Sequence, residues 1–117
     1  MDLKDYCSQR WPQLYEFSHY FNEDVNELFG STEGAIGAFL SNSSPEHVER
    51  VLNELEEYLV FSREYLSKHP EANDDYLYDS MAFNYIPSAE GYTAIGWLEH
   101  VRERFRDYLA RTQGQGQ

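Results

Sequence analysis

The sequence predicts an all-α fold, a single-domain bundle of about five helices around an aromatic-rich core. Three observations carry this. Apolar side chains recur every three or four residues in several segments. Capping residues and prolines stand where helices start. No segment alternates apolar and polar residues over strand length, and no Asn-Gly or Asp-Gly hairpin turn occurs. The chain has 117 residues, which suits one domain with a real core, and 16% of them are aromatic, which argues against disorder.

Pro12 fits a first helical turn, because its missing N–H would be unpaired there in any case. Leu14, Phe17, Tyr20 and Phe21 follow at helical spacing, so a first helix is expected over about residues 12–22. Residues 24–29 add a short turn that Gly30 closes. Ser31 or Thr32 caps a second helix with Ala35, Ile36, Phe39 and Leu40 on one face. Gly34 and Gly37 each cost up to about 1 kcal/mol against alanine there, and leave room for another helix to come close. The run Ser41-Asn42-Ser43-Ser44 ends it. Ser44-Pro45-Glu46 is the strongest helix start: a capping serine, a proline at the first position and an acid in the first turn. The stripe Val48, Val51, Leu52, Leu55, Leu59 and Leu66, interrupted by Ser62, predicts an amphipathic helix of about 20 residues. Lys68-His69-Pro70 stops it. Asp74 and Asp75 lead a shorter helix with Tyr76, Leu77, Tyr78, Met81 and Phe83, broken at Ile86-Pro87-Ser88. Thr93 caps a last long helix with Ile95, Leu98, Val101, Phe105 and Leu109 on its stripe and Trp97 beside it. Residues 1–112 are expected to form the domain, with the terminus around Cys7 mobile, and residues 113–117 a flexible tail.

Acids outnumber bases by 21 to 9, a net charge of -12. That disfavours direct binding of nucleic acid or of an anionic membrane surface, both of which require excess lysine and arginine. Cys7 is the only cysteine, so no intramolecular disulfide and no cysteine-rich zinc site is expected. No leader-like apolar run follows the start, and the longest apolar stretch, Tyr58-Leu59-Val60-Phe61, is far below membrane-spanning length. The expectation is a cytoplasmic protein.

The charge is unevenly placed. Between residues 11 and 49 there is no lysine or arginine, against seven acids: Glu16, Glu23, Asp24, Glu27, Glu33, Glu46 and Glu49. Between 69 and 101 there is again none, against Glu71, Asp74, Asp75, Asp79, Glu90 and Glu99. Arg102, Arg104, Arg106 and Arg111 gather on the last helix, where the helix dipole favours cations. A single acidic tract is usually a solvated face, but two base-free tracts in one small domain suggest a surface that steers a basic partner. Tyrosines lie among these acids, and tyrosine serves interface centres well; core packing competes as the explanation for each.

No catalytic signature is present. Glu16-x-x-His19, with Glu23 a turn further on, has the spacing of half a di-iron carboxylate site, but none of His47, His69 and His100 has a glutamate three positions before it. Cys7 with a remote histidine would be a nucleophilic pair in principle; a lone cysteine is more often incidental. There is no glycine-rich phosphate loop, no Gly-x-Ser-x-Gly and no His-Glu-x-x-His. A non-catalytic binding protein with no cofactor and no metal is the economical reading.

Tyr20-Phe21-Asn22-Glu23-Asp24 after a short aromatic helix, a long amphipathic middle helix, then Tyr85-Ile86-Pro87, Gly91 and Trp97-Leu98-Glu99-His100-Val101-Arg102 form an order that resembles the immunity proteins of bacterial contact-dependent growth inhibition systems, specifically a small helical subfamily. The resemblance runs from about Leu14 to Leu109, with Asn22 and Val25 departing from it. It implies a protein of the cytosol that binds the toxic C-terminal domain of a large secreted protein, often a nuclease, and here of ribonuclease type. It implies core roles for Tyr20, Phe21, Trp97 and Leu98 and a helix-capping role for Asp24. An acidic surface with tyrosines would plug a basic phosphate-binding cleft without any catalysis of its own. The residues expected to meet the toxin are Glu23, Asp24, Glu27, Asp74, Asp75, Tyr76, Tyr78 and Asp79. A small acidic adaptor or regulatory subunit for another basic protein is the alternative.

Overall fold

A computed structural model describes residues 2–21 and 31–115, with side chains through 112. Six α-helices and two short 3-10 helices occur among these residues, and no strand. The helices are α1 (Leu3–Arg10), α2 (Pro12–Ser18), α3 (Thr32–Ser41), α4 (Pro45–Lys68), α5 (Tyr76–Met81) and α6 (Ala94–Gln115). The 3-10 turns cover Pro70–Ala72 and Pro87–Glu90. The all-α class stands. The turn expected at 24–29 lies outside the described residues, as do residues 116 and 117 of the expected tail.

Where the starts are local hydrogen bonds, they fall as expected. Ser31 accepts from the Gly34 N–H at 3.0 Å, Ser44 from His47 at 3.2 Å and Thr93 from Gly96 at 3.0 Å. Each satisfies one amide of a first turn that the helix itself leaves unpaired. The helix expected over 12–22 ends at Ser18, and the Phe21 carbonyl is spent instead on the Asn84 N–H, at 2.9 Å.

Helix α1 was not expected. Its sequence, LKDYCSQR, has too few apolar residues to show a stripe. Asp2 caps it, accepting from the Asp5 N–H at 2.8 Å. Far from being loose, it docks on α5 and buries Cys7 and the following Trp11 in the core. Burial pushes the Cys7 thiol up to about 11, so it is not a thiolate at neutral pH.

Helix α4 is the spine. It packs along α6 and against α2. Its inward stripe is Val48, Val51, Leu52, Leu55, Tyr58, Leu59 and Ser62, with Leu66 half-buried. From α4, Glu54 caps α2: one carboxylate oxygen accepts from the Gln13 and Leu14 amides at 2.9 and 3.0 Å. Trp11, at the cap position of α2, has no side-chain oxygen to offer. Partial burial raises the Glu54 pKa, against the pull of those two amides.

The interior is a network of rings. Phe17 meets Phe39 at 4.7 Å, Phe21 and Phe105 at 5.3 Å each and Phe83 at 5.9 Å between centroids. Most of these pairs are edge-on, the arrangement that the ring quadrupole favours. Trp97 is buried among Phe21, Phe83 and Tyr85, in the core role that the resemblance implies. Helix α3 is tied to α6 by Glu33, which pairs with both His100 and Arg104. Gly37 does not serve a close helix approach: a Cβ there would have only the Arg104 guanidinium, at 4.0 Å, as a neighbour.

Candidate functional site

Helix α5 and the loop after it build an open depression of about 280 Å³, lined by Asp74, Asp75, Tyr78, Asp79, Asn84, Tyr85 and Ile86. The three carboxylates expected from the second base-free tract therefore come together with Tyr78. Two other depressions carry both signs of charge. One is lined by Phe61, Glu64, Tyr65, Lys68 and His69, and the other by Leu40, Arg104, Asp107, Tyr108 and Arg111.

One wall of the acidic depression is the outer face of α5. Asn73, just before Asp74, anchors it by accepting from the Ala94 N–H at the start of α6, at 3.0 Å. The helix ends at Ala82, whose φ of 62° is left-handed. That reversal sends the chain back along α5 as residues 84–86, the second wall. Several contacts hold this wall in place. The Asn84 N–H donates to the Phe21 carbonyl, the Tyr85 ring lies 4.5 Å from that of Trp97, and the Tyr85 hydroxyl donates to Glu90 at 2.6 Å. The same Glu90 oxygen accepts from the Thr32 hydroxyl at 2.9 Å. Burial, then the adjacent Glu90 carboxylate, hold the Tyr85 phenol well above its ordinary range. The second wall is thus set by a buried ring and a doubly used carboxylate before any partner arrives.

On these walls Tyr78 is 51% exposed and Ile86 54%, two of the four large apolar side chains that are exposed among the described residues. Asp74, Asp75 and Asp79 are exposed, and none takes part in an ion pair among the described residues. The site offers unneutralised negative charge around aromatic and aliphatic contact area. That combination attracts a cationic surface and excludes water around it once docked.

Tyr76, expected in the same group, is not on this surface. It is 1% exposed, stacks on Tyr58 at 5.9 Å and hydrogen-bonds Ser62, so it is a core residue. On a helix, residues two apart point about 200° from each other, which puts Tyr78 out where Tyr76 is in. Glu23, Asp24 and Glu27 lie outside the described residues. The chain on either side of them is anchored to the second wall, by the Phe21 carbonyl on Asn84 and by Thr32 on Glu90.

Asn84 and Ile86 were missed by sequence reasoning, which took Ile86 only as the break before Pro87. Lys4 was missed as well: its ammonium lies 4.2 Å from the centre of the Tyr78 ring. Glu16 is exposed on α2, and His19 is exposed just after it. Among the described residues no three His, Cys, Asp or Glu side chains are grouped so as to hold a metal ion. No described helix is long and apolar enough to cross a membrane.

A family model described as CdiI immunity protein matches residues 10–105, most of the chain. The match spans α2 to the middle of α6 and so takes in both walls of the depression. No curated protein and no solved structure matches the chain.

Proposed function

The chain belongs to the CdiI immunity protein family, and from that premise we propose that it binds the cognate C-terminal toxin domain of a contact-dependent growth inhibition system and neutralises it in the cytoplasm. The toxin is a ribonuclease, and the acidic surface of Asp74, Asp75, Tyr78, Asp79 and Ile86 around the depression occludes its basic cleft. Glu23, Asp24 and Glu27 extend the same acidic contact. The chain itself catalyses nothing: it competes with the RNA backbone for the toxin's cationic residues.

The observation that carries this reading is the depression of single-sign charge with two exposed apolar side chains at its walls. A ribonuclease must present positive charge to phosphates, so its cleft has the opposite sign. Long-range attraction between the two surfaces speeds encounter, and the Tyr78 and Ile86 contacts slow release.

The test is growth rescue. The C-terminal domain of the protein encoded immediately upstream is expressed with and without this chain. Growth arrest relieved by the chain is the expected result. Arrest without relief, both proteins being present, would reject the pairing and favour an adaptor for another basic protein.

A further inference from the structure

One ring that lines the depression, that of Tyr78, already meets a cation of the chain's own. Lys4, half-buried on α1, places its ammonium 4.2 Å from the centroid of the Tyr78 ring. This is within the range in which the negative face of an aromatic ring attracts a cation. Among the described residues Lys4 makes no ion pair: no carboxylate oxygen lies within 4.0 Å of it, although Asp75 and Asp79 line the depression with Tyr78. The ring is its partner. Tyr78 is nevertheless half exposed, with Ile86 beside it in the depression. The second wall is held rigid by Tyr85, Trp97 and Glu90, so the face of Tyr78 is presented in a fixed setting.

We infer that the Tyr78 ring, with Asp75 and Asp79, is a subsite for one lysine or arginine side chain of the toxin domain, and that Lys4 is its resident occupant, displaced on binding. This rests on the functional reading above and deepens it by naming the chemistry of the group that enters. An arginine is the better fit, since its planar guanidinium can stack on the ring and hydrogen-bond a carboxylate at the same time. Lys4 then sets a threshold. A partner must offer a cation that outcompetes an intramolecular one, which disfavours weakly matched basic surfaces. Removing Lys4 strengthens binding by about two- to fivefold, the worth of one exposed cation–ring contact.

The test uses the isolated full chain and a small probe. N-acetyl-arginine amide is titrated into isotope-labelled wild-type protein and into Lys4→Met, following the ring resonances of Tyr78 by NMR, with N-acetyl-norleucine amide as the uncharged control. The expected result is a saturable shift at Tyr78 with the arginine compound alone, at lower concentration in Lys4→Met than in wild type. Equal shifts with both compounds, no shift in either protein, or no difference between the proteins would overturn the assignment. The probe is not the toxin, so this failure is separate from a failure of growth rescue. With the toxin domain in hand, Lys4→Met is repeated in a Tyr78→Leu background. The gain in affinity is expected to vanish there, whereas a mere long-range charge effect would persist and would also overturn the assignment.

Discussion

The Oγ of Ser62 and the phenolic oxygen of Tyr76 lie 2.7 Å apart in the interior, and beside them Tyr58 and Ser80 form the same pair with the helices exchanged, at 2.5 Å. Tyr58 and Ser62 stand one turn apart on α4; Tyr76 and Ser80 stand one turn apart on α5. Each helix contributes one ring and one hydroxyl, and the two rings stack at 13°. Ser80 donates its own proton to the Tyr76 carbonyl at 2.7 Å, so Tyr58 is the donor to Ser80. Every buried hydroxyl of the four is thereby satisfied, and the outer face of α5 is fixed by its inner one.

Ser62→Ala leaves the Tyr76 phenol without its partner and is expected to destabilise the fold by about 1–3 kcal/mol. Adding Tyr76→Phe removes the stranded group, so the double variant loses less than the sum of the two single changes. Urea denaturation of the three variants measures this. Toxin affinity is expected to stay unchanged in all of them, and a selective loss of affinity in Tyr76→Phe would return Tyr76 to the interface.

The fold is expected to lose stability at alkaline pH. Burial raises the phenol pKa values of Tyr58, Tyr76 and Tyr85 above the ordinary 10.0. The folded chain therefore keeps protons that the unfolded chain releases. These groups leave stability unchanged below about pH 10 and erode it as pH climbs beyond. Denaturant midpoints measured across that range, with phenolate absorbance followed alongside, check the sign. Midpoints that stay level above pH 10 would contradict buried neutral phenols.

Cys7 is expected to resist thiol reagents at neutral pH. It is fully buried and its thiol is pushed up to about 11, so both access and thiolate are lacking. Labelling becomes fast only in denaturant, and its rate reports the opening of α1. Rapid labelling of the native protein would show that α1 does not stay docked.

Reversing Asp74, Asp75 and Asp79 together to lysine is expected to slow association with the toxin and to weaken its salt dependence. The side chains are exposed and make no ion pair among the described residues, so the domain stays folded. The first turn of α5 loses about 0.3–1 kcal/mol per reversed charge near its N-terminus. Association rates at several salt concentrations, with a circular dichroism check of folding, settle the matter. Wild-type rates in the folded triple variant would exclude this face.

Trp97→Ala removes a fully buried ring that supports Phe21, Phe83 and Tyr85. The expected cost is about 3–5 kcal/mol. It should also lower toxin affinity in whatever fraction remains folded, because Tyr85 lines the depression and rests on Trp97. An unchanged melting temperature would mean that the ring is not packed as described.

The sequence by itself determined the helical class, the ends of three helices and the uneven charge, because each is written within a few residues of chain. The caps Ser31, Ser44 and Thr93 act over three residues, and the α4 stripe repeats with the helix period. Its family resemblance likewise rested on short segments. What depends on distant residues was decided only by tertiary structure. Helix α1 has no stripe of its own and exists where α5 offers Cys7 a place in the core. The N-terminus of α2 is capped by Glu54, 40 residues away from Leu14. Tyr76 and Tyr78 look alike among the same aspartates, and only the packing of α5 against α4 sends one ring inward and leaves the other to meet a partner. The depression itself exists because a left-handed Ala82 turns residues 84–86 back beside α5, where Trp97 and Glu90 hold them. Side-chain burial and hydrogen bonding across the fold carry that information, and no local window of sequence contains it.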